Sequence, residues 1–335
     1  RQGSMNTTAF SFGPLGAKGF AFLNMLQLIG WTSIMIYDAM LALQELAPLS
    51  PMIWTIAIGA LVILWLFIGL HNTGYIQAIV SVLLLGLTLY MGAHMISQWP
   101  SEGILLTSGN MSFIAALELS IAMPLSWLPL ISDYTRESKK PFSASLTSAT
   151  VYTVTSIVMY TLGLSAAIFG GGDSIITIMM NAGLGLAGLI VIIFSTVTTT
   201  FMDAYSAGVS STTIYNGASS KGIAVIVTIV GTIAAILYPM DDITDFLYLI
   251  GSVFAPMIAI LLADYFINRQ QVQTLSAYLV RGLIWAVSVG LYHYMLHSES
   301  TIGATLPAFT MAFVVTAIVG FISHTENSSV EIKEQ

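Results

Sequence analysis

The chain contains no cysteine and very little charge. Without a thiol it has neither a cysteine nucleophile nor a thiolate metal site. Charged residues are 7% of the 335, where a soluble domain carries about 25%, so the chain cannot cover a water-facing surface of its own size. Its nine Lys and Arg are scattered and form no patch for nucleic acid. The first 19 residues lack the charged, apolar and small-residue pattern of a signal peptide. The glycine-rich run Gly183-Leu184-Gly185-Leu186-Ala187-Gly188 has no following lysine, so it reads as close helix packing and not as a phosphate loop. His293 and His297 have metal-ligand spacing but no acid beside them. No Ser, His and Asp share a depth.

What is present is apolar length. Hydrophobic residues make up 56% of the sequence, and a run of about 20 crosses a hydrocarbon core. Ten spans are expected, at 20–43, 52–70, 75–97, 112–132, 148–170, 184–212, 223–238, 246–267, 282–296 and 302–322. Short polar segments such as His71-Asn72-Thr73-Gly74 and Gly170-Gly171-Gly172-Asp173 separate them. The chain is therefore expected to be an all-α integral membrane protein, with residues 1–335 forming one membrane-embedded domain. Direction follows from basic residues in short loops. Arg1, Lys18, Arg136, Lys139, Lys140, Lys221, Arg269, Arg281 and Lys333 all fall on one side of this ten-span arrangement, while Glu45, Glu102, Asp173, Asp241, Asp242 and Glu299 fall on the other. Both ends are expected in the cytoplasm, with the cytoplasmic membrane as location.

Polar residues at membrane depth mark function. At about 1.5 Å per residue, Trp31 lies near the middle of the first span, with Asp38 near its outer end. Glu118 lies in the outer third of the fourth, with Ala122, Met123 and Pro124 near the middle and Trp127 deeper. In the sixth, Thr198, Thr199 and Thr200 reach the middle and Asp203 lies one turn further in. Three clusters on three helices thus share one depth. Each also has a plainer reading: Trp31 as packed core or lipid-facing, Asp38 as interfacial, and the threonines as hydroxyls bonding the carbonyl one turn back. Pro124 and Pro129 interrupt the fourth span, either as a simple kink or as a discontinuous helix whose freed backbone faces a substrate.

The run Ser126-Trp127-Leu128-Pro129-Leu130-Ile131-Ser132-Asp133-Tyr134-Thr135-Arg136 resembles the Trp/Pro-rich helix end and Asp-Tyr/Phe-Thr-Arg motif of the nucleobase:cation symporter-1 family. Gly30-Trp31, Ser11-Phe12-Gly13, Thr198 to Gly208 and Ala255-Pro256 to Phe266 are similar to further motifs of that family. The residues from Glu118 to Arg136 resemble most its CytX type, hydroxymethylpyrimidine permeases tied to thiamine synthesis. The resemblance implies a LeuT-like fold on two inverted five-helix repeats, and cation-coupled uptake of a pyrimidine or nucleobase-like compound such as hydroxymethylpyrimidine or cytosine. It also implies that the family's first two helices precede this chain and are missing from it. Gly3-Ser4-Met5 would otherwise fit an expression scar.

Carried over by position, the resemblance gives Trp31 one face of a planar ring. The Ala122–Pro124 break would lie opposite, where the expected second aromatic is absent and Trp127 stands one turn deeper. Thr198 and Thr199 would form the hydroxyl half of a sodium site, and Asp203, Glu118 and Gln27 would bond the ring edge. An amide or protonated carboxyl matches the donor and acceptor of an aminopyrimidine in bidentate fashion. Those acids are equally suited to carry a proton as the coupling ion. No cofactor beyond a sodium ion or proton is expected. The expected partners are a small-molecule substrate and the lipid bilayer, without nucleic acid, and the sequence does not speak to oligomeric state.

Three other readings compete. A transporter of another substrate on this fold, such as an amino acid, is disfavoured by the mid-membrane Trp, an intramembrane enzyme by the lack of a nucleophile with its base, and a channel by the prolines. Cysteine introduced at Asp173 or Asp241 should label from outside intact cells. Labelling only after permeabilisation would overturn the topology.

Overall fold

A computed structural model describes residues 3–46, 49–68, 70–97, 111–136, 138–169, 179–180, 183–240, 242–269, 271–298 and 301–334. Arg1, Glu102, Asp173, Asp241 and Glu299 lie outside the described residues. Within them the chain forms α1 (Ser4–Thr7), α2 (Ala9–Leu46), α3 (Pro51–Ile68), α4 (Leu70–Ser97), α5 (Phe113–Trp127), α6 (Ile131–Thr135), α7 (Pro141–Phe169), α8 (Gly185–Ile214), α9 (Ser220–Leu237), α10 (Thr244–Leu262), α11 (Leu275–His297) and α12 (Thr305–Glu334). A single π-turn, Ala263–Asn268, ends α10. Nine described helices are long and apolar enough to cross a membrane, and Phe113–Trp127 is a shorter apolar one.

The expected fourth span is therefore a broken element. The break falls one turn later than the expected Ala122–Pro124. Helix α5 continues through Pro124 to Trp127, turns at Leu128–Leu130, and resumes as α6. Pro129 explains the position. It has no N–H for the carbonyl of Leu125, and the Leu130 N–H turns to Trp127 O at 3.0 Å. Ser126 O is thereby left without its helical donor. Residues 71–74, read from sequence as a loop, belong to the backbone of α4. Residues 3–19, which precede the first expected span, are folded: α1 and the start of α2 pack into the protein, with Met5 and Phe12 buried. At Gly13 the chain turns through φ 68°. A Cβ there would meet the Tyr278 ring at 2.7 Å, so the position takes only glycine on two grounds.

The core forms where α2 runs antiparallel to α8. Asn24 Nδ2 donates to Ser210 Oγ at 2.8 Å and Thr200 Oγ1 to Met35 Sδ at 3.5 Å, which fixes the register and sets Asp203 level with Trp31. Close approaches need small residues. A Cβ on Gly231 of α9 would lie 2.7 Å from the Thr32 side chain of α2, and one on Gly30 would lie 2.5 Å from the Phe246 ring. Phe246 thus brings α10 across α2 at Trp31. Helix α7 stands at the periphery, with none of its apolar window buried. At the far end of α10 the buried Asp264 pairs with Arg281 of α11 at 3.0 Å. Asn268 Nδ2 joins Asp264 Oδ1 to Thr316 O of α12, at 2.8 and 3.2 Å.

Candidate functional site

Trp31 is 9% exposed and sits in a buried cluster with Ala122, Ile250 and Phe254, against which Met123 and Phe246 pack. The Phe246 ring meets the indole edge-on, with centroids 5.4 Å apart at 71°. Trp127 lies in a neighbouring cluster with Leu28, Phe201 and Ala204, and its ring is tilted against that of Tyr134 at 6.4 Å. The structure thus brings Trp31, Ala122 and Met123 together and keeps Trp127 apart. Pro124 is a helical residue of α5 one turn before the break.

Gln27 lies one turn before Trp31 on the same face of α2. Its Nε2 donates to Asn24 Oδ1 at 2.7 Å and to Ser126 O at 3.1 Å, the carbonyl freed at the break. Asn24 in turn donates to Ser210. A buried chain of hydrogen bonds therefore runs from α8 through α2 to α5. Asp203, Ser206 and Ser210 fall at i, i+3 and i+7 along one stripe of α8. At this junction three buried polar atoms have no hydrogen-bond partner among the described residues: Gln27 Oε1, Trp31 Nε1 and Asp203 Oδ2. An unpaired buried polar group costs about 1 to 3 kcal/mol. Three of them where α2, α5 and α8 meet call for a polar ligand.

The threonines make the local bonds that hydroxyls make in apolar helices. Thr198 and Thr199 both donate to Ser195 O, at 2.9 and 2.8 Å, and Thr200 to Thr196 O at 2.8 Å. Donating leaves each oxygen its lone pairs, so the hydroxyls remain able to bind a cation.

Asp133 of α6 ties α1 to α8. Its Oδ1 accepts from Ser4 N and its Oδ2 from Ser206 Oγ, both at 2.7 Å. Glu118 stands away from the ring edge expected of it. Its carboxylate caps the start of α12, accepting from Ala304 N and Thr305 N at 3.0 Å and from Thr305 Oγ1 at 2.6 Å. An anion at a helix N-terminus is favoured by the unpaired N–H groups there. Phe246, Asn24, Ser126 and Ser210 were not found by sequence reasoning. Asn24, a polar residue inside an apolar run, carried a signal, and so did Gly30 beside Trp31.

Gly303 has φ +76°, and a Cβ on it would run into Glu118 Oε1. Gly303→Ala should therefore lower the thermal midpoint of the protein in detergent, by an amount matching at least about 1 to 2 kcal/mol of left-handed strain. Gly290→Ala, with nothing within 4 Å, should not.

Comparison with known proteins agrees with this architecture. The family described as permease for cytosine/purines, uracil, thiamine, allantoin matches residues 7–332. Cytosine permeases of Escherichia coli strains K12 and O157:H7 are each 25% identical over 185 residues, covering 54% of this chain and 44% of each relative. The chain thus spans about half the length of the curated relatives it matches. Mhp1, a nucleobase-cation-symport-1 family transporter in a closed conformation with bromovinylhydantoin bound, superposes with a TM-score of 0.77 at 17% identity, over 96% of this chain and 80% of that one. A Na+-coupled sialic acid symporter in a substrate-bound outward-open state gives 0.67 at 16% identity, over 96% and 76%. At those identities the likeness is one of fold, and the fold is the LeuT-like transporter fold.

Proposed function

The chain belongs to the family of permeases for cytosine and purines, uracil, thiamine and allantoin, a family of transporters and not of enzymes, and from that membership we propose that it takes up a flat, nitrogen-bearing ring across the cytoplasmic membrane. The substrate is a pyrimidine such as hydroxymethylpyrimidine or cytosine, and its uptake is coupled to a cation. Both ends of the chain lie in the cytoplasm, on the side of its Lys and Arg.

One observation carries the substrate reading. Trp31 is buried beside Gln27 and level with Asp203, and each presents a polar atom that has no partner among the described residues. An indole offers a broad apolar face, and the three polar atoms supply the edge contacts that a heterocycle needs and an aliphatic substrate does not. Ala122, a fully buried small residue, packs in the same cluster as the indole. The cation reading rests on Thr198 and Thr199, whose oxygens keep free lone pairs at the same depth on α8. Oxygen ligands suit a hard cation such as sodium. Asp203 is the alternative carrier, for a proton.

Stacking of a base on an aromatic side chain is worth about 1 to 3 kcal/mol in single-stranded nucleic-acid proteins. Trp31→Ala should therefore weaken equilibrium binding of the pyrimidine by about 10- to 100-fold, and Trp31→Phe should keep much of it. Unchanged affinity in Trp31→Ala would return this residue to the packed core.

Replacing Thr198 and Thr199 together by Val keeps their shape and removes only the oxygens. Calorimetry on the unaltered protein should show sodium and substrate raising each other's affinity by the same factor, and the double variant should lose that dependence while still binding the ring. If binding to the unaltered protein ignores sodium and follows pH, the coupling ion is a proton and Asp203 its carrier.

A further inference from the structure

The hydrogen-bond chain through Gln27 decides what kind of ring edge the site accepts. An amide can present a donor, an acceptor or both. Here the choice is already made. Ser126 O can only accept, so the Gln27 atom 3.1 Å from it is the amide nitrogen, and the second hydrogen of that nitrogen goes to Asn24 Oδ1 at 2.7 Å. That hydrogen needs an acceptor, which sets the Asn24 amide with Oδ1 toward Gln27 and its Nδ2 donating to Ser210 Oγ at 2.8 Å. Both Gln27 donors are spent, and Oε1 is left buried and unpaired in a residue that is 4% exposed. The break in α5 sets this arrangement, since a continuous helix would have kept Ser126 O for itself.

The side chains of a helix lean toward its N-terminus, so the Trp31 indole covers the turn that carries Gln27. A ring lying on the indole would therefore have an edge within reach of Oε1. Trp31 Nε1, also buried and unpaired among the described residues, is a donor and nothing else. Together the two residues offer one fixed acceptor and one fixed donor.

We infer that Gln27 selects substrate as a pure hydrogen-bond acceptor, so that the transported ring must direct an N–H, from an exocyclic amine or a ring lactam, at Gln27 Oε1. Asn24 and Ser210 are positioning residues for that acceptor. The inference rests on the stacking site at Trp31 and narrows its substrate class to rings with an N–H on the edge facing the turn before the indole. Rings whose edge there carries only acceptors or methyl groups are rejected. A partner that cannot pair leaves Oε1 buried and unsatisfied, and rejection by an unpaired buried group is stronger than rejection by shape.

The test is equilibrium binding of a pyrimidine series to the protein in detergent. The series is cytosine, the same ring with its exocyclic amine replaced by a methyl group, and the same ring with its ring N–H methylated. On the unaltered protein one of the two replacements should weaken binding by about 10- to 100-fold. In Gln27→Met, which removes the acceptor at nearly constant size, the parent and that replacement should bind within about threefold of each other, the non-additivity expected of groups in contact. Asn24→Leu leaves one Gln27 hydrogen without its acceptor, so the amide offers a donor beside Oε1, and should shrink the same discrimination. The series on the unaltered protein decides even if a variant does not fold. If both replacements bind as well as the parent while Trp31→Ala still loses binding, the inference fails and the stacking site stands. If the series is discriminated equally in Gln27→Met, the edge is read elsewhere and the inference fails. If no member binds the unaltered protein, the stacking site itself fails, and the inference with it.

Discussion

A lipid interior offers no water to pair with a backbone or side-chain polar group, so each such group must find its partner inside the protein. The centre of this structure is arranged around that constraint. Pro129 cannot donate, the helix breaks, and a carbonyl is exposed in the middle of the protein. Gln27 answers that carbonyl, Asn24 answers Gln27, and Ser210 answers Asn24. One missing N–H thereby orders three helices. The same logic explains Glu118, which crosses between elements to satisfy the first amides of α12, and Asp133, which ties the N-terminal segment to α8. The groups left over at this centre, on Gln27, Trp31 and Asp203, are few and close in depth, which is what makes them informative.

The apolar contacts set where those groups stand. Gly30, Gly59 and Gly231 let side chains of neighbouring helices press against their backbone, and dispersion at that range is a main source of helix association in lipid. Phe246 depends on this directly. Its ring occupies the space that a side chain at residue 30 would fill, and from there it packs steeply inclined against Trp31. A single methyl at Gly30 would move the ring and the indole together.

Much of the fold is legible in the sequence because membrane crossing needs only length and apolarity, and both are written residue by residue. The broken helix was legible as well, since two prolines in one apolar run remove two backbone donors where lipid supplies no substitute. Its position was not. Pro124 and Pro129 look alike in sequence, and only the surroundings decide which one the helix absorbs. The carboxyl of Glu118 looked available for a ring edge because sequence shows the cost of a buried acid and not the partner that offsets it. That partner, the start of α12, lies more than 180 residues away. Phe246 was invisible for a different reason: it is one apolar residue at the mouth of an apolar run, and its meaning comes from a glycine on another helix. Folding of residues 3–12 was hidden because short polar segments carry too little periodicity to be read.

Helix α12 is fastened twice, and to different neighbours. Its first turn is held by Glu118 of α5, and Thr316, eleven residues on and about 16 Å along the axis, is held by Asn268 at the end of α10. A rod pinned at two points transmits displacement from one mount to the other. Whatever swings α5 relative to α10 must therefore tilt α12, slide it lengthwise, or release one pin. Helix α12 is in that sense a mechanical linkage, and the travel of the broken helix is bounded by a strut pinned at both mounts.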